Sequence, residues 1–175
     1  MDTNWYVIQV IRGKEEQTAS LCRNRIPSTI LEECFIPKYK MKKKYEGAWH
    51  EIVQTLFPGY LFMISNHVEL LNNELKKIPD FTKLLGNDGH EFYPLRKDEI
   101  HLLHYYGNDN HVVDMSYGYI KGDRIIITSG PLKGQEGQIR RIDRHKRLAF
   151  IEMTLFERRT LMKVGLEIVE KIENE

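Results

Sequence analysis

The chain has 175 residues, 41% of them hydrophobic and 29% charged, with a net charge of +1. That balance excludes a disordered tail or a coiled-coil rod and leaves room for one medium domain or two small ones. The longest nearly unbroken apolar stretch, Leu56 to Ile64, is interrupted by Pro58 and Gly59 and falls far short of the ~18 residues of a membrane span.

In chain order, NWYVIQV at the start predicts a first strand over 4–10, bounded by the turn residues Arg12-Gly13-Lys14. A helical pattern built on Ala19, Leu21, Cys22 and Ile26 follows and stops at Pro27. Cys34 to Ile36 reads as a short strand. The lysine-rich KYKMKKKY and Gly47 then predict a projecting hairpin, because five lysines without an acid resist burial and Gly47 permits a turn. A strand over 59–64, a helix over 68–77 and a strand over 82–85 come next. A further helix over 94–106 is expected to begin with Pro94 in its first turn. The order β-α-β-hairpin-β-α-β-α suggests a ferredoxin-like or RNP-like α+β domain over residues 1–106.

Residues 107–117, opening with Gly107-Asn108-Asp109-Asn110, have linker composition. Beyond them only strands are predicted, over 123–128, 135–143, 148–154, 158–163 and 167–171. Short turns such as Arg144-His145-Lys146-Arg147 and Val164-Gly165 separate them, so residues 118–175 read as a small all-β barrel. Charge divides along the same line, from −2 over residues 1–116 to +3 over 117–175, with a second cationic cluster in RRIDRHKR at 140–147. Cys22 and Cys34 lack CxxC spacing and read as buried small hydrophobes. The seven histidines are scattered; His101 and His104 share i, i+3 spacing without a third ligand, so no metal site or cofactor is expected. No P-loop, catalytic triad or acid pair is recognisable, and no catalysis is expected. The N-terminus lacks a basic segment leading into an apolar run, which together with the absence of a membrane span suggests a cytoplasmic protein.

From Gly122 the sequence GDRIIITSGPLKGQEGQIRRID resembles the KOW motif, a strand, a reversal using Gly130, Gly134 and Gly137, and a return strand. WYVIQVIRGKE near the start and LFPGYLFM at 56–63 resemble the NGN domain of the NusG family, in that family's order and spacing. LFERRTLMKVGLEIVEKI at 155–172 is similar to its closing strands. The resemblance implies a monomeric transcription elongation factor that binds the clamp helices of the largest RNA polymerase subunit and suppresses pausing or termination. A KOW motif alone also suits a ribosome-associated RNA-binding protein, a reading from a different class. An enzyme on an α+β scaffold is a third reading, with no nucleophile or acid/base pair to support it.

Under this resemblance, Trp5, Tyr6, Phe57 and Tyr60 form the aromatic set assigned to the polymerase-facing surface, with Pro58 shaping the bend that presents them. The plainer reading of these aromatics is sheet packing, since alternate strand residues face opposite sides. Lys40, Lys42, Lys43 and Lys44 place positive charge on the hairpin, suited to nucleic acid or simply solvated. Arg12, Arg23 and Arg25 fall where specialised relatives contact the non-template DNA strand. Arg140, Arg141, Arg144, Lys146 and Arg147 concentrate at one barrel hairpin and suit RNA phosphates, although Arg140 and Arg141 should point to opposite faces of their strand. Phe156 and Arg158, with Arg159 adjacent, match a segment through which general NusG proteins contact ribosomal protein S10 or Rho, with Glu157 in place of a glycine. The excess arginine suggests a specialised paralog of LoaP type, an antiterminator directed by an RNA hairpin.

Overall fold

A computed structural model describes residues 3–84, 92–156 and 158–173. The chain forms two compact units, one of Met1–Pro37 with Phe57–Ile100, the other of Lys38–Leu56 with His101–Glu175. Among the described residues no helix is long and apolar enough to cross a membrane.

The first unit is built on a four-stranded sheet. Its strands are β1 (Trp5–Val10), β2 (Glu33–Phe35), β5 (Tyr60–Ile64) and β6 (Phe81–Leu84), in the order β2-β5-β1-β6. Helix α1 (Glu15–Arg25) joins the first two, and α2 (Val68–Leu75) joins the last two. This is the ferredoxin-like split βαβ arrangement expected from the element order. Alternation along β1 decides which residues meet the helices. Tyr6, Ile8 and Val10 join Leu61 and Met63 of β5, Ala19 and Cys22 of α1, and Leu71 and Leu75 of α2 in one apolar core. Full burial of each large aliphatic there contributes roughly 1.5–3 kcal/mol. Both cysteines lie buried in this core as free thiols. The neighbouring Cys22 thiol and burial push the Cys34 thiol up, which suits packing rather than reactivity at Cys34. The strand expected over 82–85 is found as β6, with Leu85 outside the described residues.

Helix α3 (Lys97–Tyr106) starts three residues later than the Pro94 reading anticipates. Leu95 is spent on a backbone bond from its N–H to the Trp5 carbonyl at 2.7 Å, which keeps Pro94-Leu95 out of the helix. The Glu99 carboxylate instead accepts the Arg96 N–H at 2.8 Å, the reciprocal half of a capping box, and sets the start at Lys97.

The second unit holds the hairpin and the barrel. Strands β3 (Lys38–Tyr45) and β4 (Ala48–Thr55) pair in register from Lys38↔Thr55 to Tyr45↔Ala48. The two-residue turn has φ of +50° at Glu46 and +78° at Gly47, the left-handed pair that matches strand twist. Residues 107–117 contain more structure than their composition implies. Strand β7 (Val112–Val113) pairs in parallel with β3, Met115 is buried, and Ser116 opens β8 (Ser116–Lys121).

The barrel sheet runs β10-β11-β12-β8-β9, with β9 at Arg124–Ser129, β10 at Ile139–Asp143, β11 at Leu148–Leu155 and β12 at Arg158–Ile172. The turn expected at Val164-Gly165 is absent: β12 is one strand of 15 residues. Its first half pairs with β11 and its second half pairs in parallel with β8, so the two predicted strands fuse where the chain changes partner. Gly165 sits at that change because β12 passes against the Lys40 carbonyl of the hairpin and the Met115 sulfur, where a methyl would collide with both. Gly165→Ala is expected to destabilise the protein by about 1–3 kcal/mol, the usual range for overpacking, as measured by urea denaturation. An unchanged midpoint would contradict this contact.

Candidate functional site

In the first unit the site begins with a turn. Phe57-Pro58-Gly59-Tyr60 closes with the Tyr60 N–H donating to the Phe57 carbonyl at 3.2 Å. Pro58 presets the second position, and Gly59, at φ +87°, occupies the third, where a side chain would be strained; this is a type II turn. The Gly59 carbonyl accepts the Val10 N–H at 2.9 Å, which fixes the turn to the end of β1.

Glu15, which sequence reasoning passed over, holds the same turn from the other side. Its carboxylate accepts the Gly59 N–H at 2.7 Å and the Gly13 N–H at 2.9 Å. Burial pushes its pKa up, but its own backbone N–H, those of Gly59 and Gly13, and the Arg12 charge together outweigh burial and hold it below the ordinary glutamate value. The only sequence signal was an acid in the first turn of α1 following Gly13, which reads equally as helix-dipole compensation.

Of the aromatic set, Pro58 is exposed and Tyr60 half-buried. Trp5 and Phe57 are only 4% and 7% exposed. They belong to an aromatic row in which Trp5 meets Phe35 edge-on at 5.1 Å, Phe35 stacks on Phe62 at 5.7 Å, and Phe62 packs on Phe57 at 5.7 Å. Tyr6 lies on the opposite face, in the helix-side core. Arg12 is exposed near the start of α1, and Arg23 and Arg25 are exposed in its last turn. Arg12 precedes α1 and the other two lie in its last turn, so most of an 11-residue helix about 16 Å long stands between them and the three do not make one patch. Arg23 also donates from Nε to the Cys34 carbonyl at 2.9 Å.

In the second unit strand alternation puts Lys40, Lys42 and Lys44 on one face of the hairpin and Lys43 on the other. Lys40 bonds Asp114 at 3.1 Å, with Glu51 at 3.7 Å. Lys42 meets Glu167 at 2.5 Å and lies 5.3 Å from the Tyr117 ring. The hydrogen bond that Lys42 donates to Glu167 is the main reason the Lys42 pKa is raised. Lys43 and Lys44 are exposed towards the tip. Glu167 also binds Arg147 at 3.0 Å, and the Arg147 guanidinium lies 3.7 Å over the Trp49 ring of β4. The two lysine and arginine clusters, a hundred residues apart in sequence, therefore meet around Glu167.

The expectation that Arg140 and Arg141 diverge is corrected by a bulge in β10, where register shifts between Ile139 and Arg141. Arg141 lies 4.0 Å over the Phe150 ring, and Arg140 reaches Glu152 at 3.3 Å, two residues along the same face of β11. Glu152 also faces Arg159 at 3.7 Å. Arg144 and Lys146 are exposed on the β10–β11 turn, without an ion-pair partner among the described residues. Phe156 turns the β11–β12 corner at φ +55°, half-buried, and Arg158 beside it is exposed; residue 157 is outside the described residues. Among the described residues no group of three His, Cys, Asp or Glu is arranged to hold a metal ion, and His90 lies outside them.

A ferredoxin-like α+β unit with a Pro-Gly turn, followed by a small barrel with a Gly-Pro reversal, defines the class of two-part NGN and KOW proteins. Residues 3–104 match the family model described as transcription termination factor nusG, and residues 121–153 match the KOW motif. The chain belongs to the NusG family. It is 26% identical over 187 residues to the transcription termination/antitermination protein NusG of Thermus thermophilus, covering 98% of this chain and 100% of that protein. The Treponema pallidum protein of the same name is 21% identical over 185 residues, covering 98% of this chain and 100% of that protein. A solved structure of Thermotoga maritima NusG shares the fold with a TM-score of 0.54 at 21% identity, covering 96% of this chain and 95% of that one. The protein is thus a transcription termination/antitermination factor, and not an enzyme.

Because the Glu15 pKa is lowered on folding, its contribution is fully present above the ordinary glutamate pKa and is lost as pH falls through the lower, folded value. Glu15→Gln is expected to cost about 1.5–3 kcal/mol at neutral pH, the range for hydrogen bonds to a charged group. It should also flatten the acid limb of a stability profile measured by urea denaturation between neutrality and about pH 3, below the ordinary glutamate range.

Proposed function

We propose that this NusG-family chain binds RNA polymerase and suppresses pausing and termination during elongation, acting as a monomer in the cytoplasm by processive antitermination. Residues 1–106 act as the polymerase-binding domain, 107–117 as the connecting segment and 118–175 as the barrel that recruits a second partner. The observation that carries this reading is the family match over 3–104 together with the Phe57–Tyr60 turn, held rigid from both sides by Val10 and Glu15. A turn fixed in this way presents Pro58 and Tyr60 to a partner without further ordering cost. Trp5 and Phe57 support it from the aromatic row, and Tyr6 anchors the strand in the core. The clamp helices of the largest polymerase subunit are the surface this turn would engage.

On the barrel side, Arg144 and Lys146 are the exposed cations available to RNA phosphates, whereas Arg140, Arg141 and Arg147 already have partners within the fold. RNA contacts there would recruit the factor to its transcript, as in a specialised antiterminator. Lys43, Arg12 and Arg25 remain exposed for nearby DNA, including the non-template strand. A protein partner such as S10 or Rho would meet Phe156, Arg158 and Arg159 at the β11–β12 corner.

Tyr60→Ala, and separately Pro58→Ala, are expected to weaken binding to purified bacterial RNA polymerase about fivefold to thirtyfold, the loss of an anchor worth ~1–2 kcal/mol. Thermal unfolding checks that the variants stay folded. Wild-type affinity in both folded variants would overturn the assignment of the turn.

A further inference from the structure

We propose that Trp49, backed by Arg147, is a stacking platform for an unpaired RNA base, with Lys44, Arg144 and Lys146 holding the flanking phosphates. This rests on the RNA-directed reading above and gives it a site that spans the hairpin and the barrel turn within the second unit. Trp49 is 38% exposed although it is the largest side chain of β4. One side of its ring is occupied by the Arg147 guanidinium at 3.7 Å, and that guanidinium is itself fixed by Glu167 at 3.0 Å. The indole is therefore held in place before any ligand arrives, and more than a third of its surface stays open.

The surroundings are cationic. Lys44 is the direct cross-strand partner of Trp49 and shares its face of the hairpin. Arg144, His145 and Lys146 are exposed on the turn that ends in Arg147, and the Lys146 N–H donates to Asp143 at 3.0 Å, which orders that turn. The acids nearby are largely committed: Glu167 to Lys42 and Arg147, Glu51 to Lys40, and Asp143 to the turn, leaving Glu46 at the hairpin tip. A fixed, open indole with one exposed cation across the strand and others on the turn that carries Arg147 fits a base with its neighbouring phosphates. A duplex keeps its bases stacked internally and offers the indole nothing. RNA is the occupant because the cations on the adjoining turn, Arg144 and Lys146, are those available to the transcript, whose unpaired bases stack on aromatic side chains.

The other exposed aromatic of the hairpin is an internal control. Tyr45 is 46% exposed and stacks on His50 at 3.7 Å, on the opposite face from Trp49.

The test uses the full chain and three probes of one mixed sequence of about twelve nucleotides, a length within the usual site sizes for single strands. They are unstructured RNA, the same sequence as single-stranded DNA, and the blunt RNA duplex, all at one fixed salt concentration. Unstructured RNA is expected to bind tightest and to quench tryptophan emission. The chain has two tryptophans, and Trp5 is buried, so the quench reports Trp49. Trp49→Ala should lose the quench and about tenfold in affinity for unstructured RNA while changing duplex binding little. Tyr45→Ala should stay within about twofold, and Arg144→Ala with Lys146→Ala should weaken all three probes together. Binding without quench, or full affinity in Trp49→Ala, would overturn the platform while leaving RNA recruitment standing. DNA bound as tightly as RNA would overturn the choice of occupant, and duplex preference would overturn stacking. No binding to any probe would overturn the platform, because stacking tolerates any sequence, while recruitment through a selected RNA element would stand.

Discussion

One carboxylate organises the second unit. Glu167, on the long strand β12, takes Lys42 of the hairpin at 2.5 Å and Arg147 of the barrel turn at 3.0 Å, and Arg147 carries the arrangement on to Trp49. Exposed ion pairs contribute about 0–1 kcal/mol each, but this one is a partly shielded network with two cations on a single acid. Without Glu167, Lys42 and Arg147 would repel each other, and Arg147 already pulls the Lys42 pKa down against the hydrogen bond that raises it. The same node separates the cations spent on structure from those left for a ligand. Lys42 and Arg147 are engaged, while Lys44, Arg144 and Lys146 surround them unpaired among the described residues.

The first unit uses a carboxylate in a similar way, but on backbone. Glu15 has no cation within ion-pair distance among the described residues; it accepts two N–H groups and so ties the start of α1 to the Pro58–Gly59 turn. That turn would otherwise be an ordinary flexible connection between the hairpin and β5. In both units a buried or half-buried glutamate converts a loop into a fixed surface, and binding to a fixed surface loses less conformational entropy.

Much of this was legible in the sequence because it is local. The alternation of NWYVIQV, the Pro-Gly pair, the lysine-rich strand ending at Gly47 and the KOW glycines each dictate backbone conformation within a few residues. What escaped is long-range or hidden by symmetry of signal. Lys42 and Glu167 are 125 residues apart, so nothing near either marks the pair. Val164-Gly165 has turn composition, yet the glycine is there for a close approach of Lys40 and the strand runs straight through. A one-residue bulge brings Arg140 and Arg141 to a common face, and a bulge leaves no compositional trace unless glycine carries it. Tyr6 and Trp5 were equal candidates for the surface; both are buried, on opposite faces of β1, Tyr6 in the helix-side core and Trp5 in the aromatic row, which only the sheet order could decide.

Direct action on the transcribing polymerase is the central claim, and single-round transcription by purified bacterial RNA polymerase through pause sites and an intrinsic terminator tests it most directly. On a template whose transcript carries the factor's own RNA element, identified by selection against the purified chain, the account predicts faster passage and read-through. Unchanged pausing and termination on that template, with the protein bound to its RNA, would contradict it.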